Sequence, residues 1–106
     1  MRLQMKNFQK TVAAAGTRER LTTAALRQPS IVIQALAGNT NAIFLGGSNV
    51  SSTQYFVRLA ANNSVTLTAA EFGQAGAQID LNSIWIDVTT NAEGVNVGYM
   101  ERASGD

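Results

Sequence analysis

Few side chains in this chain could do chemistry. Its 106 residues include no cysteine and no histidine. That removes disulfides, zinc centres built from thiolate or imidazole, and the usual general base of a serine nucleophile. Carboxylates remain. Asp80 and Asp87 are the pair that could divide acid and base roles in glycoside hydrolysis, which needs two carboxyl groups about 5–10 Å apart. Asp87, however, sits in an alternating stretch and reads more simply as a strand residue facing solvent. Asp87 and Glu93 could offer oxygen ligands to calcium, but the dense carboxylate spacing of a calcium loop is missing. Gly46-Gly47-Ser48-Asn49 has the glycines of a phosphate cradle without its lysine or the helix that follows. Glycines supplying positive φ beyond a strand explain it more simply. The inventory predicts no enzyme, no cofactor and no metal.

Binding is the remaining class, and charge is its first clue. The net charge of +1 hides an asymmetry. Residues 1–30 carry six cations (Arg2, Lys6, Lys10, Arg18, Arg20, Arg27) against Glu19, while residues 31–106 carry Arg58 and Arg102 against six acids, so the two parts are +5 and −4. Such polarity suits an acidic partner or head-to-tail contact between copies, although a solvated strand face would also explain it. Nucleic acid is not the expected partner, because Tyr55, Phe56, Trp85 and Tyr99 are not interleaved with the cations. Charged residues make up only 14% of the chain, leaving Asn, Gln, Ser and Thr to supply polar surface, as on a surface meant to be covered. Trp85 stands between Ile84 and Ile86, so alternation puts its indole on the face opposite theirs. It must be covered by the Ala69–Leu81 loop, by the N-terminal segment or by another chain. The candidate partner-binding residues are therefore Arg2, Lys6, Phe8, Lys10, Arg18, Arg20 and Trp85.

The elements that position them are strands. In Ile31 to Val50 two apolar runs, Ile31-Val32-Ile33 and Ala42-Ile43-Phe44-Leu45, flank Gly38-Asn39-Thr40-Asn41, the composition of a β-hairpin. Met1 to Lys10 alternates only in part. Leu3 and Met5 share a face that Phe8 does not, which requires a bulge near Lys6-Asn7 or a flexible arm leading into a strand at Phe8 to Val12. Thr17 to Leu21 reads as a second strand, closing a hairpin around Ala14-Ala15-Gly16. Leu21 to Gln28 is a connection ended by Pro29. Strands follow at Tyr55–Leu59, at Ser64–Thr68 with Val65 and Leu67 inward, at Ser83–Val88, and from Val95 with Val97 and Tyr99 on one face. Thr89 to Gly94 has the composition of a hairpin loop. Ala69 to Leu81 reads as a loop with one helical turn at Ala70 to Gln74, and Ser104 to Asp106 as a fraying tail.

Seven to eight short antiparallel strands at this spacing predict an all-β fold, a single small jelly-roll-like β-sandwich. Residues 1–30 form a basic arm or strand plus connection, and residues 31–106 the sandwich core, in one domain overall. No apolar run exceeds four residues, so no membrane span or signal-peptide core is expected.

The chain also resembles small virion proteins of tailed bacteriophages. The resemblance is carried by Ile33-Gln34-Ala35, Asn39-Thr40, Ile43 to Val50, Leu59, Ser64 to Leu67, Leu81 to Asp87 and Gly94 to Tyr99, about residues 31–101. Those relatives often have a Pro-Gly-Glu turn where this chain has Ala61-Asn62-Asn63, and the first thirty residues match none of them. The resemblance implies a capsid decoration (cement) protein that binds the major capsid protein and stabilises the outer face of the shell. It also implies a place in the virion after assembly in the host cytoplasm, and a homo-oligomer, trimer or dimer. A neck, tail or fibre-base component of the virion is the alternative. A carbohydrate-binding β-sandwich, with Trp85 and Tyr55 or Tyr99 as a stacking platform, is the second. On the decoration reading the basic segment grips acidic coat subunits, and removing residues 1–12 would leave the sandwich folded.

Overall fold

The computed structural model describes residues 3–69 and 77–102. Within them the chain forms ten strands: β1 (Leu3–Thr11), β2 (Glu19–Arg20), β3 (Arg27–Gln28), β4 (Ser30–Ala35), β5 (Ile43–Gly46), β6 (Val57–Leu59), β7 (Ser64–Thr68), β8 (Ile79–Asp80), β9 (Trp85–Val88) and β10 (Gly94–Arg102). Arg2, the expected turn at Ala70 to Gln74 and the tail Ser104–Asp106 lie outside the described residues.

Two four-stranded antiparallel sheets face each other, ordered β1-β10-β4-β7 and β2-β9-β5-β6, and β3 with β8 makes a short third ladder. One rule generates every ladder but two. Strand n pairs with strand 11−n: β1 with β10, β2 with β9, β3 with β8, β4 with β7, β5 with β6. The chain is thus a single long ribbon, doubled back at the loop between β5 and β6. It rolls up so that β10 also pairs with β4 and β5 with β9. That is the jelly-roll connectivity, and it bears out the all-β sandwich expected from the strand spacing.

The roll corrects three hairpins. β4 and β5, β1 and β2, and β9 and β10 are neighbours in sequence, yet each pair lies in opposite sheets. Turn residues at Gly38–Asn41 and Thr89–Gly94 make arches from sheet to sheet instead of tight returns within one. Glycine and asparagine permit either, so turn composition cannot choose between them.

Alternation decides what fills the space between the sheets. Ile31, Ile33, Ala35, Val95 and Val97 point in from the first sheet, and Ile43, Leu45, Ile86 and Val88 from the second, all buried. Val12, Leu21 and Leu81 enter from connections and close the ends. Each such side chain contributes roughly 1.5–3 kcal/mol by leaving water. Val65, Leu67 and Tyr99 pack against this cluster from the faces their alternation predicts.

The bulge expected in β1 is absent. Its register against β10 runs unbroken from Leu3 opposite Arg102 to Thr11 opposite Gly94. The conflict between Phe8 and the earlier apolar residues is resolved the other way. Phe8 turns inward onto the core, and Leu3 and Met5 stay outside, 55% and 82% exposed. Residues 3–11 are therefore an integral edge strand and not a free arm.

Candidate functional site

The β1 and β2 edges of the two sheets lie on the same side of the sandwich, and most of the basic N-terminal residues collect there. Glu19 pairs opposite inward-facing Ile86, so its side chain turns towards the other sheet. There Lys10 Nζ donates to Glu19 Oε1 at 2.8 Å, and the Ala13 N–H donates to Oε2 at 3.1 Å. This pair bridges the two sheets at their open side. The lysine hydrogen bond, and then the Ala13 N–H, hold the Glu19 carboxyl below the usual carboxylate range. Lys6 lies 3.7 Å from Glu101 on β10. Both β1 lysines are thus engaged within the chain, and Phe8 belongs to the core. Lys6, 46% exposed at its side chain, remains at the surface.

Arg18, Arg20 and Trp85 form the part of the expected set that does come together on the surface. Arg20 pairs opposite Trp85, and its guanidinium lies 5.3 Å from the ring centroid, a cation–π contact. Arg18 Nε donates to the Ser48 carbonyl. Together with Gly16, Thr17 and Ser48, Arg18 and Trp85 line a shallow cleft of about 370 Å³.

Trp85 faces outward from the second sheet, as alternation requires, with Arg20 of the N-terminal segment over its ring and a second cover that the sequence did not suggest. The β5–β6 loop, residues 47–56, folds across that face. Val50 is buried there with Ala42 and Phe44, and Trp85 packs against the three. The loop holds its shape through Val50 N–H to Gly47 C=O at 3.0 Å and Phe56 N–H to Leu45 C=O at 2.7 Å. Gly46 does not supply the positive φ expected of it. Its value is space, since a Cβ would stand 3.1 Å from Val50 Cγ2 and 3.3 Å from the Phe56 nitrogen. Asp87, read from the sequence as solvent-facing, is buried, and its Oδ1 accepts from the Val88 N–H at 2.9 Å.

Of the expected sugar platform, Trp85 and Tyr55 share the outer side of the second sheet around Phe44, and Tyr99 does not join them. Tyr55 stacks on Phe44 at a centroid distance of 5.2 Å on the outer side of the second sheet, while Tyr99 packs against the core from the first. Glu93 is likewise spent on structure. Its carboxylate accepts from the Thr40 N–H at 2.6 Å, Thr40 Oγ1 at 2.9 Å and the Asn41 N–H at 3.3 Å. Among the described residues no three acidic, histidine or cysteine side chains gather as metal ligands.

Sequence reasoning missed the outer face of the first sheet. Leu3, Met5, Val32 and Met100 lie exposed there, around a groove of about 540 Å³ that passes Gly98. The signal lies in the odd-numbered apolar residues of β1, Leu3 and Met5, which an unbroken strand leaves on the outer face. No protein-family model, no curated protein and no solved structure matches this chain.

Proposed function

We propose that this protein is a non-enzymatic structural subunit of a tailed-phage virion, a decoration protein that binds the major capsid protein on the outer face of the shell. The observation that carries the docking part is the gathering of Arg18 and Arg20 around Trp85 on the surface of the second sheet. Two guanidinium groups with no ion-pair partner among the described residues, beside a half-buried indole, suit an acidic protein surface, because arginine and tryptophan are the residue types that anchor such contacts. Binding the assembled shell but not its free subunits stabilises the shell by mass action. The virion part rests on the resemblance over residues 31–101, and on a jelly-roll connectivity that also builds viral capsid domains. Fold by itself does not assign function.

Quantitative mass spectrometry of purified virions tests the reading. Copy numbers comparable to the coat protein support a decoration subunit. A single ring's worth would move the protein to the neck, tail or fibre base, and absence from the particle would reject both. Within the decoration reading, Arg18→Glu with Arg20→Glu should abolish capsid binding while the fold survives, since both side chains are largely exposed.

A further inference from the structure

The outer edge of β1 is unpaired along all nine residues, because its strand partner among the described residues is β10 alone. Which backbone groups are free follows from its end. Val12 donates its N–H to Glu93 on the β10 side at 3.0 Å, and Ala13 turns its N–H the other way, to Glu19. In a regular strand N–H direction alternates. The N–H and C=O groups of Leu3, Met5, Asn7, Gln9 and Thr11 therefore point away from the sheet.

Long flat edges are normally blunted by proline, by a bulge or by bare lysines. β1 has no proline and no bulge, and its lysines are not bare: Lys10 is paired with Glu19 at 2.8 Å and Lys6 lies 3.7 Å from Glu101. The other sandwich edges are too short to match it: β7 has five residues, β6 three and β2 two. An equal partner exists only in another β1.

We propose that two copies of this chain associate through antiparallel β1–β1 pairing about a two-fold axis at Asn7. The joined sheets then run as one eight-stranded sheet. Centring at Asn7 sets Leu3 opposite Thr11, Met5 opposite Gln9, Lys6 opposite Phe8 and Gln4 opposite Lys10 of the second copy. Every free backbone group meets another, and no lysine faces a lysine. Centring at Lys6 or at Phe8 would set lysines directly opposite one another, which is unfavourable. Centring at Met5 would pair only part of the strand. The exposed Leu3 and Met5 of each copy gain cover from the neighbouring strand, which accounts for apolar residues at an otherwise open edge. This association stands apart from the virion reading, since it follows from the edge alone.

Sedimentation equilibrium of the purified protein should find a dimer. Asn7→Pro removes an outward N–H without touching the β10 ladder, and Asn7→Lys sets two like charges on the axis. Each should give a folded monomer with unchanged far-ultraviolet circular dichroism, and mixing Asn7→Lys with Asn7→Asp should restore dimers. The chain has no cysteine, so Asn7→Cys should cross-link to a disulfide dimer on mild oxidation, with its Cα atoms about 5.5 Å apart across the axis. A wild-type protein that stays monomeric at millimolar concentration would overturn the proposal. So would an oligomer, trimer included, that is indifferent to both Asn7→Pro and Asn7→Lys.

Discussion

Glu93 shows how one side chain can fix a fold while mimicking a functional group. It sits at the β9–β10 arch and reaches across to the β4–β5 arch, where the Thr40 N–H above all holds its carboxyl below the usual carboxylate range against the opposing cost of desolvation. Asn39 completes the join. Its side-chain amide donates to the Gly94 carbonyl at 2.9 Å, and its Oδ1 accepts from the Gly94 N–H at 3.4 Å. Asn39→Ala leaves the Gly94 N–H without its partner, while the Gly94 carbonyl keeps the Leu36 N–H, and should cost about 1–3 kcal/mol, read from urea unfolding. Glu93 and Glu19 both have folded-state values below their unfolded ones. Their stabilisation is therefore present at neutral pH and is lost as pH falls through and below the carboxylate range, where the unfolded chain takes up protons first. Melting temperature should drop with acidification over that window. In Glu93→Gln it should start lower at neutral pH and fall less steeply. A parallel profile would show that Glu93 does not carry the acid sensitivity. Nothing in the sequence marks this carboxylate as an arch clamp, because Thr40 and Asn41 are more than fifty positions away along the chain.

β1 is the element whose role changes most between sequence and structure. The run Leu3 to Lys10 conflicts with simple alternation only if every apolar residue must be inside; exposed Leu3 and Met5 remove the conflict. Truncating residues 1–12 should unfold the protein instead of freeing it from a partner. The cut removes Phe8, buried Val12 and an entire nine-residue ladder, and it exposes β10 as a new edge. Loss of cooperative unfolding by calorimetry is the expected result. The same ladder explains Gly94. A Cβ there would stand 1.9 Å from the Lys10 carbonyl oxygen and 2.7 Å from Thr11 Cα, both backbone. Gly94→Ala should cost about 3 kcal/mol or more, at the upper end for overpacking, because neither neighbour can rotate away. The β5–β6 loop is the second element with a structural task. Val50→Ala should cost about 2 kcal/mol by opening a gap over Phe44. It should also shift Trp85 emission to the red, since that residue packs against the same cluster.

At the scale of the whole molecule, pairing strand n with strand 11−n joins the two ends of the chain in the longest ladder, β1 with β10. Nearly all sheet contacts therefore wait on long loop closures, and folding should take milliseconds to seconds, not microseconds. Stopped-flow refolding followed by Trp85 fluorescence measures this. A faster rate would mean that the β5–β6 turn alone organises the structure. The amino-acid sequence by itself determined the all-β class, most strand positions and the inward face of β7, β9 and β10, because period-two alternation of Val, Ile and Leu needs no knowledge of partners. It also limited the chemistry, since histidine and cysteine are absent at any fold. The tertiary structure alone decided which strands pair, that the turns are arches between sheets, and that Phe8 packs on the core and Lys10 on Glu19 while Arg18 and Arg20 meet at Trp85. The reason is physical: turn residues and alternation set only local angles and faces, whereas pairing depends on how a ribbon of fixed length rolls to bury both inner faces at once.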